Sequence, residues 1–170
     1  MRGDQAAPAP TGQSHAAPRT PLESPCRFLT TRVSTVSENT CCGKRGCIEA
    51  FLSGPGFMRD HERHTGRALA SREIEQAAID GEPAAAATMA RYHDRLARSL
   101  ATVIDVVDPD VIVLGGGMSN VAGLADAVTA RLPQHVFSDT VLTRVVRNRH
   151  GDSSGVRGAA WLWPVGAGAA

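Results

Sequence analysis

Thr40–Gly56 reads TCCGKRGCIEAFLSGPG, and the understanding of the whole chain turns on it. Three cysteines and four glycines fall within this short stretch. Cys42 and Cys47 bracket a Gly43-Lys44-Arg45-Gly46 loop, and Glu49 follows closely. A glycine-bracketed loop lets two thiolates converge on one ion, and Zn²⁺ prefers a tetrahedral set of thiolate and imidazole ligands. Cys42 and Cys47 are candidate zinc ligands on this ground, with Cys41 a candidate third and His15 or Cys26 a candidate fourth. Adjacent side chains such as Cys41 and Cys42 diverge in an extended backbone and do not easily chelate one ion. The same cysteines also fit a set of free thiols. Beyond the loop, Ile48, Phe51 and Leu52 share one helical face, so a short helix is expected over Ile48–Leu52 with a stop at Gly54-Pro55-Gly56. Glu49 would sit in its first turn. There its carboxylate either complements the helix dipole or, held rigid beside the loop, accepts hydrogen bonds from sugar hydroxyls.

Upstream, the composition changes. Residues 1–39 hold half of the chain's ten prolines and one aromatic, Phe28. No period of 3.6 or 2.0 persists there, and such a segment buries too little apolar surface to offset the entropy of ordering. A low-order leader is expected over 1–39, with at most a weak strand around Phe28–Val36, and a folded unit over 40–170. At 170 residues the chain has room for one domain of ordinary size. Its net charge of +1 gives no bulk electrostatic case for nucleic acid or an acidic membrane as partner. No apolar run reaches the roughly 18 residues of a membrane helix, and Met1 leads into RGDQAAPAPTGQ with no apolar signal core. This pattern points to the cytoplasm, where thiols stay reduced.

Downstream, helical and strand patterns alternate. Phe57–His64 reads as a short helix ended by Gly66, and Ser71 as the N-cap of another that stops at Gly81-Glu82-Pro83. Pro83 suits the first turn of a long helix over Pro83–Val107. Its apolar positions are Met89, Leu96, Leu100, Val103, Ile104 and Val107, with Arg91, Arg95 and Arg98 mostly on another face. Val111–Leu114, wholly apolar between Asp-Pro and Gly-Gly-Gly, reads as a buried strand. A helix capped by Ser119 or Asn120 should run to about Leu132, a second strand over Val141–Val146, and a small-residue helix over Gly155–Trp163. The order is that of an α/β fold.

The triplet Gly115-Gly116-Gly117 lies between strand and helix, where a bare backbone lets a nucleotide approach and a helix N-terminus favours anions. It matches neither GxGxxG nor a P-loop, and a tight turn explains it equally well. His61 and His64 stand at metal-ligand spacing, but their charged neighbours read as a solvated face.

Three motifs, CGKRGCIEAFLSGPGF at 42–57, DPDVIVLGGGMSNV at 108–121 and HGDSSGVRGAAWLWP at 150–164, together resemble the C-terminal half of a ROK-family sugar kinase. The paired tryptophans of the last motif resemble the bacterial fructokinase (manno/fructokinase) type. The resemblance implies a partial C-terminal lobe of an actin-like, ribonuclease-H-like kinase, helix-rich with a reduced sheet. It implies ATP and Mg²⁺ as cofactors, a hexose, fructose above others, as substrate, and a possible homodimer. Cys42, Cys47 and Cys41 would hold structural zinc, Glu49 would bind the hexose, and Gly115, Gly116 and Gly117 would lie against the nucleotide. The family's cysteine motif is C-x-C-G-x-x-G-C, whereas here Thr40 takes the first cysteine's place or, equivalently, one residue is lost and Cys41 is the first ligand, out of phase. The family's D-x-G-G-T-K phosphate loop and its Asn-Asp pair with the catalytic aspartate do not occur in these 170 residues. No turnover by the chain alone is therefore expected. The alternative is a non-catalytic zinc-binding or dimerisation remnant. The family's repressors carry a helix-turn-helix, which residues 1–39 do not spell.

Overall fold

The computed structural model describes residues 47–151 and 153–162. The expected leader, the Phe28–Val36 strand and residues His15, Cys26, Cys41 and Cys42 lie outside them. The elements run α1 (Glu49–Leu52), α2 (Gly54–Thr65), α3 (Ser71–Ile79), α4 (Pro83–Val107), β1 (Val111–Leu114), α5 (Leu124–Thr129), β2 (Arg144–Arg147) and α6 (Ser154–Ala160). Short 3₁₀ turns occupy Gly117–Asn120 and Leu132–Gln134. This is the helix-rich α/β arrangement with a reduced sheet expected of a partial actin-like lobe.

α4 is the axis of the fold, with α1, α2, α3 and α5 packed along it. The bounds Pro83–Val107 agree with the sequence pattern, Pro83 standing in the first turn where its missing N–H costs nothing. The buried stripe is richer in small residues than the apolar pattern suggested. Ala85, Thr88, Tyr92, Ala97, Ser99, Ala101 and Ile104 are buried, while Met89, Leu96 and Leu100 pack from the margin and Val107 is exposed. Small side chains let neighbouring helices approach α4 from more than one side, which a single-stripe reading cannot anticipate.

α1 stops at Leu52, just before Gly54-Pro55-Gly56 as expected, but the same Gly-Pro-Gly also starts the next helix. Ser53 is extended, its Oγ accepts a hydrogen bond from Gly56 N at 3.2 Å, and the proline occupies the first turn. At the other end of α2, Gly66 closes the helix with φ 71°, as expected of a glycine in the left-handed region. α3 is capped by Ala70 rather than Ser71: Glu73 accepts from the Ala70 N–H at 2.6 Å, half of a capping box without the hydroxyl half.

β1 and β2 pair in parallel, Val111 with Arg144 and Leu114 with Arg147. β1 is not the buried strand its composition suggests. Ile112 and Leu114 pack against the core, while Val113 is 59% exposed and Val111 is exposed beside it. Parallel sheets normally have both faces covered; among the described residues only one face of this pair is. Exposed Val106 and Val107 at the end of α4 extend the uncovered apolar surface. β2 starts at Arg144, three residues later than expected from Val141. The helix expected from Ser119 to Leu132 is broken into a 3₁₀ turn, a left-handed Gly123, α5 and a second 3₁₀ turn that contains Pro133. No described helix is long and apolar enough to cross a membrane.

Candidate functional site

Glu49 opens α1, and its exposed carboxylate makes no hydrogen bond among the described residues. Directly before it, Cys47 is buried at 3% exposure, with Ala50 N donating to its carbonyl oxygen at 3.1 Å. The glycine triplet follows β1. Gly115 lies beside Asn148, whose Nδ2 would sit 3.5 Å from an added Cβ. Gly116 has φ 78° and ψ 177°, a conformation open to glycine and costly for other residues. The Gly116 carbonyl is held by the Ser119 hydroxyl at 2.7 Å and the Ser119 N–H at 3.1 Å. Gly117 borders open space.

Glu49 and all three glycines line one cleft of about 930 Å³. The third wall is α3, through Ser71, Arg72 and Glu75. Two contacts fix that wall. Glu75 Oε1 accepts from Ala122 N at 2.8 Å, tying α3 to the segment after the triplet. A Cβ at Gly54 would meet both Met118 Sδ and Ser71 Oγ at 3.7 Å, so the α2 start, the triplet turn and the α3 start converge. The size falls in the range of small-molecule sites. The triplet presents bare backbone to the cleft, and a 3₁₀ turn, not an α-helix N-terminus, follows the glycines. The sequence reading missed α3 as a wall. Buried Ile74 marks the inward face of α3, but nothing local shows which neighbour the rest of the helix meets.

The zinc reading rests on thiols of which only Cys47 is described, and the described residues form no group of three or more potential metal ligands. The His61–His64 pair belongs to no such group of ligands among the described residues, and the expected solvated face holds for exposed His64 but not for His61. His61 is fully buried with Nδ1 3.1 Å from Thr88 Oγ1, while His64 Nδ1 lies 2.7 Å from the Asp60 carbonyl oxygen. Asp60, also missed from the sequence, is buried between α2 and α4, with Oδ2 2.8 Å from Arg91 Nε and Oδ1 2.8 Å from Arg95 Nη1. It braces the site from behind, because the Arg95 guanidinium also lies 5.1 Å from the Phe51 ring centroid on α1.

Among proteins of similar sequence, N-acetyl-D-glucosamine kinase of Escherichia coli O1:K1 is 40% identical over 121 residues, covering 71% of this chain and 40% of the relative. The N-acetyl-D-glucosamine kinase of Shigella flexneri is 41% identical over the same length. The chain thus spans about 40% of the length of these relatives. Among solved structures, the ROK hexokinase of Thermus thermophilus superposes with a TM-score of 0.64 at 28% identity, covering 73% of this chain and 42% of the other. A ROK family glucokinase from Streptomyces griseus shares the fold with a TM-score of 0.69 at 22% identity, covering 79% of this chain and 50% of the other. Residues 29–165 match the family model described as ROK family, and the chain belongs to the ROK family.

Proposed function

We propose that this chain supplies the sugar- and nucleotide-binding face of a kinase lobe whose reaction moves the ATP γ-phosphoryl group to a hydroxyl of a hexose or N-acetylhexosamine. The observation that carries this reading is the shared cleft: Glu49 and Gly115–Gly117, far apart in sequence, face the same space. Glu49, without another partner among the described residues, accepts hydrogen bonds from sugar hydroxyls. The glycine turn lets the nucleotide lie against bare backbone. Phosphoryl transfer asks a protein mainly for positioning and charge neutralisation, and Mg²⁺, when bound, supplies part of the latter. The relatives' name supports N-acetyl-D-glucosamine as acceptor; fructose, expected from the tryptophan-bearing motif, is its rival. With no D-x-G-G-T-K loop or Asn-Asp pair in these 170 residues, no base is assigned to this chain. A structural zinc held by Cys42 and Cys47, with Cys41, remains part of the proposal, supported by the burial of Cys47 at the entrance to α1.

Calorimetric titration of the purified chain tests the reading. We expect saturable binding of N-acetyl-D-glucosamine, tighter than that of fructose, weakened about tenfold or more in Glu49→Gln. Tighter fructose binding would reassign the acceptor. Absence of sugar binding, or a Glu49→Gln chain that binds like the wild type, would overturn the assignment of Glu49. Turnover with ATP and Mg²⁺ in a coupled assay would refute the expectation that the chain alone is inactive. Metal analysis below about half an equivalent of zinc would remove the thiol site.

A further inference from the structure

We infer that Arg72 is the cation that pairs with the nucleotide's phosphates, a role that rests on the cleft reading above and goes beyond it. Three charged side chains line the cleft: Glu49, Arg72 and Glu75. Glu75 is committed to the Ala122 amide at 2.8 Å. Arg72 is therefore the cleft's one positive group among the described residues. It is exposed on the second residue of α3, and its guanidinium enters no described ion pair or hydrogen bond. Several other arginines are occupied, Arg91 and Arg95 by Asp60, Arg67 by Glu82 and Arg147 by Asn120, and no other arginine lines the cleft.

A nucleotide brings several negative charges into a space that already contains carboxylates, so binding without a cation would be opposed. A guanidinium answers this with a planar fork of donors that matches phosphate oxygens. The base of the Arg72 side chain is also fixed. Ile74 is fully buried, and Glu73 closes the Ala70 N–H at the start of α3. Glu49 and Arg72 thus give the cleft an acceptor for hydroxyls and a partner for phosphates.

The test compares adenosine with MgADP on the full chain, by titration, in wild type, Arg72→Gln and Arg72→Lys. Glutamine keeps the helix propensity of this exposed position, and circular dichroism checks that the fold is unchanged. We expect Arg72→Gln to weaken MgADP about fivefold or more while adenosine changes less than about twofold, with Arg72→Lys between wild type and Gln. If Arg72→Gln leaves MgADP unchanged, or weakens adenosine equally, Arg72 is not the phosphate partner although the cleft still binds nucleoside. If the wild-type chain binds neither adenosine nor MgADP, the cleft reading fails and Arg72 fails with it.

Discussion

Asp60 and Arg95 form a buried pair, Oδ1 to Nη1 at 2.8 Å, that joins α2 to α4 behind the cleft. Arg91 takes the other carboxylate oxygen, and Arg95 also covers Phe51, two residues from Glu49. The position of Glu49 therefore depends on a charge cluster outside the cleft.

Asp60→Asn should cost about 3 kcal/mol, because two partly buried guanidinium groups lose their counter-charge while the volume stays the same. Burial pushes the Asp60 pKa up, but the hydrogen bonds and charges of Arg91 and Arg95 outweigh it and hold the carboxyl below its ordinary value. A depressed folded-state pKa contributes stability that is present above the unfolded value of about 4 and lost as pH falls through the folded one. Urea midpoints measured across acid pH should thus fall steeply for the wild type and less steeply for Asp60→Asn. Parallel curves would show that Asp60 does not carry this dependence.

Tyr92 gives the opposite sign. Its hydroxyl donates to the Leu52 carbonyl at 3.2 Å, and its ring meets Phe57 edge-on at 5.3 Å. Burial pushes its pKa up to about 12. A raised folded-state value means stability fully present below the unfolded value of about 10 and lost as pH rises towards the folded one. The chain has a single tyrosine, so an ultraviolet titration reads this group alone. We expect ionisation delayed towards pH 12 and coupled to unfolding, and Tyr92→Phe to cost about 1 kcal/mol at neutral pH while removing the alkaline loss. Ionisation near the free value in the folded chain would contradict the buried phenol.

Most of the chain's course was legible because its signals are local. Pro83, the periodicity of α4, Gly66 and the apolar run of Val111–Leu114 each act within a few residues. The failures share a different cause. Whether a strand is buried depends on what packs over it, and Val113 looks identical in sequence whether covered or open. His61 and Asp60 sit among charged neighbours, yet α4 turns that face inward through Thr88, Arg91 and Arg95. Glu49 and the triplet were each legible as candidates; that α3 closes the cleft between them is a tertiary fact, carried by Glu75 and Ala122.

Gly54 and Gly56 look interchangeable in the sequence but should not behave alike. A Cβ on Gly56 would lie 2.3 Å from the Ala50 carbonyl oxygen, a backbone atom that cannot swing away. At Gly54 the nearest atoms are side-chain atoms at 3.7 Å, an ordinary contact. Gly56→Ala should therefore cost about 3 kcal/mol or more by forcing α1 and α2 apart. Gly54→Ala should stay within about 1 kcal/mol of wild type. Denaturant midpoints of the two variants decide the matter, and equal losses would mean that the close approach of α2 to Ala50 is not what selects glycine.

The triplet allows fold and binding to be separated. Gly116, at φ 78°, should resist substitution for conformational reasons, with Gly116→Ala costing about 1–3 kcal/mol of stability. Gly117 has neither a positive φ nor any atom within 4 Å of a new Cβ, so Gly117→Ala should fold as well as the wild type. Its methyl group would then project into the space that the nucleotide is proposed to fill. We expect unchanged thermal stability together with about tenfold weaker MgADP binding, equivalent to 1.4 kcal/mol. The two readouts discriminate cleanly. Lost stability would mean that the turn itself, not its ligand, demands glycine at 117. Full stability with undiminished MgADP affinity would mean that the nucleotide does not lie against this backbone, and the cleft between Glu49 and the triplet would need another occupant.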